Sequence, residues 1–287
     1  MLRRPSLLHG IVTLWLTGTP LAAQGEGEPV RWIAFPTGRL FPTAIADPTA
    51  TDFGFTQLRV TDVGVAGSGD NRFELRMGGQ FGVVRWQPRG APGWAYQLGI
   101  EAGFNGQFDS DHSYDNIGWD GIFGLTATAG RPGRLAFKLG MKHTSSHVGD
   151  EYAERTGRQR IEYTREELVL GASWPVVPAL RLYAEAAYAY HHGNGGLQHP
   201  GRAETGAEFV QPRLLGLGRL GWYAAVDASA WEERDWETDF SAALGLLYPA
   251  GDRRWRLGFG YHEGRVPIGE FFQDSETYWS LGLNLDL

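Results

Sequence analysis

The feature that most constrains this chain is an alternation of apolar and polar residues that begins afresh about twelve times along its length. Residues 94–108 display it. Trp94, Tyr96, Leu98, Ile100, Ala102, Phe104 and Phe108 share one parity, and Gln97, Gly99, Glu101, Gly103, Asn105 and Gln107 share the other. Successive side chains of a strand point to opposite faces, so such a run has one apolar and one polar face. A single run suits a soluble sandwich as well as a membrane wall, and it is the repetition that separates the two. Similar runs occur at 72–86, 118–130, 134–148, 161–174, 179–192, 219–231, 237–248, 253–264 and 277–287, with weaker ones at 55–61 and 204–213. The total is even, as bacterial outer-membrane barrels require.

Connections and composition agree with this. Short Gly- and Pro-rich turns such as 130–134 and 249–254 alternate with polar stretches such as 109–116 and 149–160, the pattern of periplasmic turns and outer loops. Past the N-terminus, no apolar stretch approaches the roughly 18 residues of a transmembrane helix. Aromatic residues make up 13% of the chain and Gly 41 of its 287 residues, a mixture that suits a lipid-facing wall. There is no cysteine, which excludes disulfides, thiolate metal sites and a lipid anchor. The expected fold is therefore all-β, a transmembrane antiparallel β-barrel of about 12 strands over residues 55–287.

The N-terminus divides in two. Arg3 and Arg4 precede an apolar run centred on Ile11 to Leu16, and small residues follow at Ala22 and Ala23, so residues 1–23 read as a cleaved secretory signal peptide. Losing the two arginines takes the formal net charge from −7 to −9, which argues against a nucleic-acid partner. Residues 24–54 form an N-terminal periplasmic segment. With Pro42 and Pro48 it cannot be a regular central strand. It is read as a plug or cap, with Phe35, Leu40 and Phe41 tucking into the lumen or closing its periplasmic mouth; a free linker is the alternative. The polar faces carry both charge signs, at Arg72, Glu74 and Arg76, at Glu101, at Arg181 and Glu185, and at Arg254 and Arg256. Opposite charges across a narrow lumen cross-link it and disfavour a wide diffusion pore.

The densest chemistry lies in 142–151, KHTSSHVGDE. On a strand, His143 and His147 stand about 13 Å apart, too far to share one ion. Read as a helix, HTSSH would imitate a zinc-protease motif, but Thr144 stands where the general-base Glu belongs. No metal and no cofactor is expected. The apolar parity of the run continues Leu135, Phe137, Leu139, Met141, His143, Ser145, His147, so His143 and Ser145 are same-face neighbours just above the apolar band, near the depth of lipid ester bonds. Antiparallel pairing with indices summing to 309 sets Leu139 opposite Leu170, Met141 opposite Leu168, His143 opposite Glu166 and Ser145 opposite Thr164. Ser145 as nucleophile, His143 as general base and Glu166 as orienting acid make an acyl-ester hydrolase conceivable. His147, Asp150, Glu151 and Arg165 are the candidate binding residues around them. The loop groups Asp109-Asp111-His112-Asp115 and His191-His192 could gather divalent cations, against solvated charge as the plain reading.

The His-x-Ser pair resembles that of outer-membrane phospholipase A and the lipid A deacylase, with a departure at Ser146-His147. A broader likeness spans the mature chain. FPTGRLFPTAIADPTATDFG at 35–54, HTSSHVGDEY at 143–152 and YTREEL at 163–168 resemble DUF1207, a family of uncharacterised bacterial outer-membrane proteins. That resemblance implies a barrel in the outer membrane and carries no activity. The chain's partners would be outer-membrane lipid and lipopolysaccharide, and the barrel-assembly machinery that inserts it. Two functional readings follow: a non-enzymatic binding or structural barrel with a narrow charged lumen, which the residues alone favour, and the outer-leaflet hydrolase as its alternative.

Overall fold

A computed structural model describes residues 30–88, 93–131, 133–193, 196–214, 218–251 and 253–286, so the expected signal peptide and Leu287 lie outside the described residues. A short strand, β1 (Arg31–Ala34), precedes twelve longer ones: β2 (Phe53–Asp62), β3 (Asn71–Gln87), β4 (Ala95–Asp109), β5 (Asp115–Gly130), β6 (Ala136–Val148) and β7 (Thr164–Val177), then β8 (Leu180–His192), β9 (Gly201–Gln211), β10 (Gly221–Trp231), β11 (Thr238–Ala250), β12 (Arg253–Arg265) and β13 (Ser275–Asp286). Each of β2 to β13 pairs antiparallel with its sequence neighbours, and β13 returns to β2, so the sheet closes into a twelve-stranded barrel. Closure leaves no strand edge to satisfy, which is what a wall in lipid requires.

The wall is apolar outside and charged inside. Phe137, Leu139, Met141, Leu168, Leu170, Leu244, Phe259 and Leu281 are exposed on the outer surface, whereas Arg72, Glu74, Glu101, Arg165, Glu167, Arg202 and Arg256 are buried within. The inner charges cross-link the lumen: Arg72 meets Glu276 at 2.8 Å, Arg181 meets Glu208 at 2.7 Å, and Lys138 pairs with Glu185.

The N-terminal segment fills the lower lumen. β1 pairs with β3 at Arg31–Ala34 against Gln87–Val84, and β2 pairs with the same edge of β3 at Gly54–Arg59 against Arg76–Asn71. One wall position is thus occupied in two pieces, and residues 36–52 pass through the interior between them. Leu40 and Phe41 are buried there, with the Lys138 ammonium 4.8 Å from the Phe41 ring centroid. Arg181 donates to the carbonyls of Pro42 and Thr43, Arg76 to that of Pro48, and Glu208 accepts the Ile45 N–H. Gly103 makes room for this segment: a Cβ there would stand 2.3 Å from Thr51 Cγ2. Phe35 departs from the expectation that placed it in the lumen with Leu40 and Phe41. It is 79% exposed with φ +46°, at the bend where the chain leaves β1 and turns inward. The cavities left between plug and wall are small, about 80 and about 40 Å³.

The outer mouth is closed too. The β12–β13 connection folds inward, and Val266, Ile268 and Phe271 pack with Val65, Ile117 and Tyr152. Tyr152 belongs to a helix within the expected polar loop, α1 (Asp150–Thr156), which ends on Gly157 in the left-handed conformation. At seven residues α1 is too short to display helical periodicity, and it forms because Tyr152 is buried against Phe271 and donates to the Ala66 carbonyl at 2.6 Å.

Candidate active site

The top of β6 presents two chemistries on its two faces. His143, Ser145 and His147 point outward, continuing the lipid-facing row of Phe137, Leu139 and Met141. The β6–β7 register pairs Leu139 with Leu170, Met141 with Leu168, His143 with Glu166 and Ser145 with Thr164, the pairing expected from the alternation.

His143 Nδ1 lies 2.6 Å from Glu166 Oε1, and both side chains are about one-third exposed. A carboxylate only accepts, so Nδ1 carries a proton in this contact, and in the neutral imidazole Nε2 is then the acceptor. Ser145 is two residues from a histidine on either side. Its hydroxyl bonds His147, with Oγ 3.2 Å from Nε2, instead of His143. His147 in turn stacks on Trp119 at a centroid separation of 4.2 Å, and Trp119 on Phe104 at 5.5 Å. Two pairs result, His143–Glu166 and Ser145–His147, sharing one outward face. The role of His147 as hydrogen-bond partner of the serine was not assigned from sequence. Its signal was there, since His143 and His147 are equally spaced about Ser145.

Arg165 lies on the other side of the wall from Ser145. Its guanidinium is buried in the lumen, where Nε meets Glu167 at 3.1 Å, Nη1 meets Glu233 at 2.8 Å, and the His199 and Pro200 carbonyls accept at 2.8 and 2.9 Å. Alternation required this, because an outward Glu166 sends Arg165 inward. Asp150 and Glu151 are exposed in the first turn of α1, beyond the strand end, where negative charge complements the helix N-terminus.

The expected cation-gathering group at 109–115 is consumed by protein contacts. Asp109 accepts from His112 Nδ1 at 2.9 Å and from the Gly69 N–H at 2.8 Å, Asp111 from Asn71, and Asp115 pairs with Arg155 at 2.9 Å. The Asn71 side chain and N–H hold the exposed Asp111 carboxyl below its usual range. Among the described residues no group of three or more acidic or histidine side chains could hold a metal ion.

Ser146, between the two outward residues, is fully buried on the lumen side. Its hydroxyl accepts the Glu270 N–H at 2.8 Å, and Asp120 on the neighbouring strand accepts the Gly269 N–H at 3.1 Å. Gly149 closes the strand: its N–H donates to the Ile117 carbonyl, and a Cβ there would stand 1.7 Å from the Asn116 carbonyl oxygen. Beside this, Tyr163 donates to Glu233 at 3.1 Å; burial, with that carboxylate next to it, pushes the phenol well above its usual range and keeps it a donor.

A family model described as a protein of unknown function, DUF1207, matches residues 29–287. No curated protein sequence matches. Among solved structures, outer membrane phospholipase A from Escherichia coli superposes with a TM-score of 0.52 at 12% identity, covering 82% of this chain and 90% of that one. The Salmonella typhi outer membrane phospholipase, solved as a dimer with bound calcium, gives 0.54 at 13% identity, covering 82% and 91%. A KdgM porin gives 0.44 at 7% identity, covering 82% and 99%. At these identities the likeness is one of fold, and the fold is that of outer-membrane β-barrels.

Proposed function

Since the chain belongs to the DUF1207 family, whose description assigns no activity, we propose one from the geometry: hydrolysis of acyl esters of outer-leaflet lipid by Ser145. The observation that carries this reading is the 2.6 Å contact between His143 Nδ1 and Glu166 on the outside of the wall. With Nδ1–H donated to that carboxylate, Nε2 of the neutral imidazole is the nitrogen that would take the serine proton, the tautomer a general base needs. Rotation of the Ser145 side chain exchanges His147 for His143. Ser145 Oγ then attacks the ester carbonyl carbon while its proton passes to His143 Nε2. Collapse of the tetrahedral intermediate expels the lyso-lipid alkoxide, which takes that proton back, and the acyl group stays on Ser145. Water repeats the cycle with the same base and releases the fatty acid. Met141, Leu139, Phe123 and Leu125, exposed below the site, supply an apolar surface along which an acyl chain lies. The substrate is accordingly a glycerophospholipid or the acylated moiety of lipopolysaccharide. The similarity of fold to the outer membrane phospholipases agrees with this reading without carrying it.

The test is fatty-acid release from phospholipid vesicles and from lipopolysaccharide micelles by wild-type and Ser145→Ala protein. Loss on the order of 10³-fold or more is expected for the variant, and equal rates from both would remove Ser145 from the chemistry. A second reading, a non-enzymatic wall element, is favoured by the Ser145–His147 contact and the His147–Trp119 stack, which together make a satisfied polar belt at headgroup depth. No release from either protein on either lipid supports that second reading.

A further inference from the structure

Glu270 belongs to the loop that closes the outer mouth from inside, yet its contacts converge on β6 and on the segment that enters β7, the strands whose outer faces carry His143, Ser145 and Glu166. It is fully buried. Its carboxylate accepts the N–H of Ile161 at 2.7 Å and that of Tyr163 at 3.2 Å, with the Arg160 guanidinium 3.5 Å away. Its own N–H donates to Ser146 Oγ at 2.8 Å, and its carbonyl accepts from Arg158 at 3.2 Å. The residue between the two carboxylate-bound amides, Glu162, is left-handed at φ +58°, a conformation that costs a non-glycine residue and persists only where its surroundings hold it. That bend delivers the Tyr163 carbonyl to the Ser146 N–H at 2.9 Å, one hydrogen bond beyond the Ser145–Thr164 pair of the β6–β7 ladder.

We propose that Glu270 is a positioning residue for the outward site: by clamping 161–163 to Ser146 from the lumen, it sets how Glu166 meets His143 on the opposite face of the wall. The proposal rests on the hydrolase reading for its catalytic consequence, but not for its structural one. Ser146 is bonded to Ser145 and precedes His147, and Tyr163 is three residues before Glu166, so freedom gained at either residue is passed along a few backbone bonds to the site. A misplacement of about 1 Å in a catalytic contact is enough to lower a rate by about 10²-fold.

Glu270→Ala removes both acceptors. Glu270→Gln keeps one and the side-chain volume. Ser146→Ala removes the acceptor of the Glu270 N–H together with the hydroxyl's hydrogen bond to Asp120. Each is purified as the folded, heat-modifiable barrel in nonionic detergent, with ¹⁵N-labelled histidine, and two quantities are read. The first is the downfield Nδ1–H resonance that a hydrogen bond from His143 to Glu166 produces, assigned by its absence from Glu166→Ala. The second is kcat and KM for fatty-acid release from phosphatidylethanolamine mixed micelles. Expected are loss of the resonance in Glu270→Ala, with kcat lowered 10- to 100-fold and KM within twofold, and smaller losses in Glu270→Gln and Ser146→Ala. A resonance that persists in folded Glu270→Ala overturns the proposal, whatever kcat does. If Glu270→Ala does not fold, Glu270→Gln and Ser146→Ala decide by the same reading, and persistence at wild-type intensity in both overturns it. If the wild-type protein releases no fatty acid, the hydrolase reading falls while the resonance still decides the clamp.

Discussion

Outward, the top of β6 offers His143, Ser145 and His147 in two hydrogen-bonded pairs with side chains that remain partly exposed. Inward, the same few residues offer Ser146 and, one strand over, Arg165 and Glu167, all buried and tied into contacts that cross the lumen. In the proposed reading the exposed face supplies a histidine acceptor and a serine that changes partners, which are the conditions for chemistry. The buried face has its polar groups engaged, because an unpaired charge in a dry interior is costly. In the proposed reading reactivity and rigidity are separated by one side-chain position, and the Glu270 proposal makes the rigid face the support of the reactive one.

The widest test of this separation is Arg165→Ala. It takes from Glu167 and Glu233 the cation they share and leaves each a longer contact, to Arg202 at 3.5 Å and to Arg265 at 3.4 Å, so stability should fall by about 3 kcal/mol, the low end for a broken buried pair, read as a lower denaturant midpoint for loss of the folded gel band. Full stability would show that the inner network does not carry the wall. Glu166→Gln acts on the other face. It keeps an acceptor near His143 but loses the carboxylate's charge, and a fall in kcat of roughly 10- to 100-fold is expected, about 1.4–2.7 kcal/mol of barrier, with the denaturant midpoint unmoved. A shifted midpoint with unchanged kcat would reverse the roles assigned to the two faces. The smallest effect belongs to Arg59→Ala, whose ion pair with Asp70 at 2.8 Å is more than two-fifths exposed at both partners. No more than about 1 kcal/mol should be lost there. A larger loss would mean that exposed pairs contribute as the lumenal ones do.

Much of this is legible in the sequence. The strand runs, their faces and the β6–β7 register follow from alternation, because a one-residue slip would turn every apolar side chain to the wrong side. The pairing of His143 with Glu166 came from the same rule. The inward direction of Arg165 was equally available from its neighbour Glu166, although it stood among the binding candidates. β1 was missed since four residues give no periodic signal. The segment 266–272 was missed since PIGEFF mixes apolar and charged residues without a period, and its inward fold depends on Tyr152, Ile117 and Val65 arriving from elsewhere.

By itself the sequence determined the barrel and the two faces of each strand, since side-chain alternation is a local property of an extended backbone. Only the tertiary structure decided which histidine bonds Ser145, that the lumen is filled from the periplasmic side and closed from the outer one, and that Glu270 reaches Ser146 across 124 residues of chain. Those outcomes depend on what space remains once distant strands have closed, and no local pattern encodes that space.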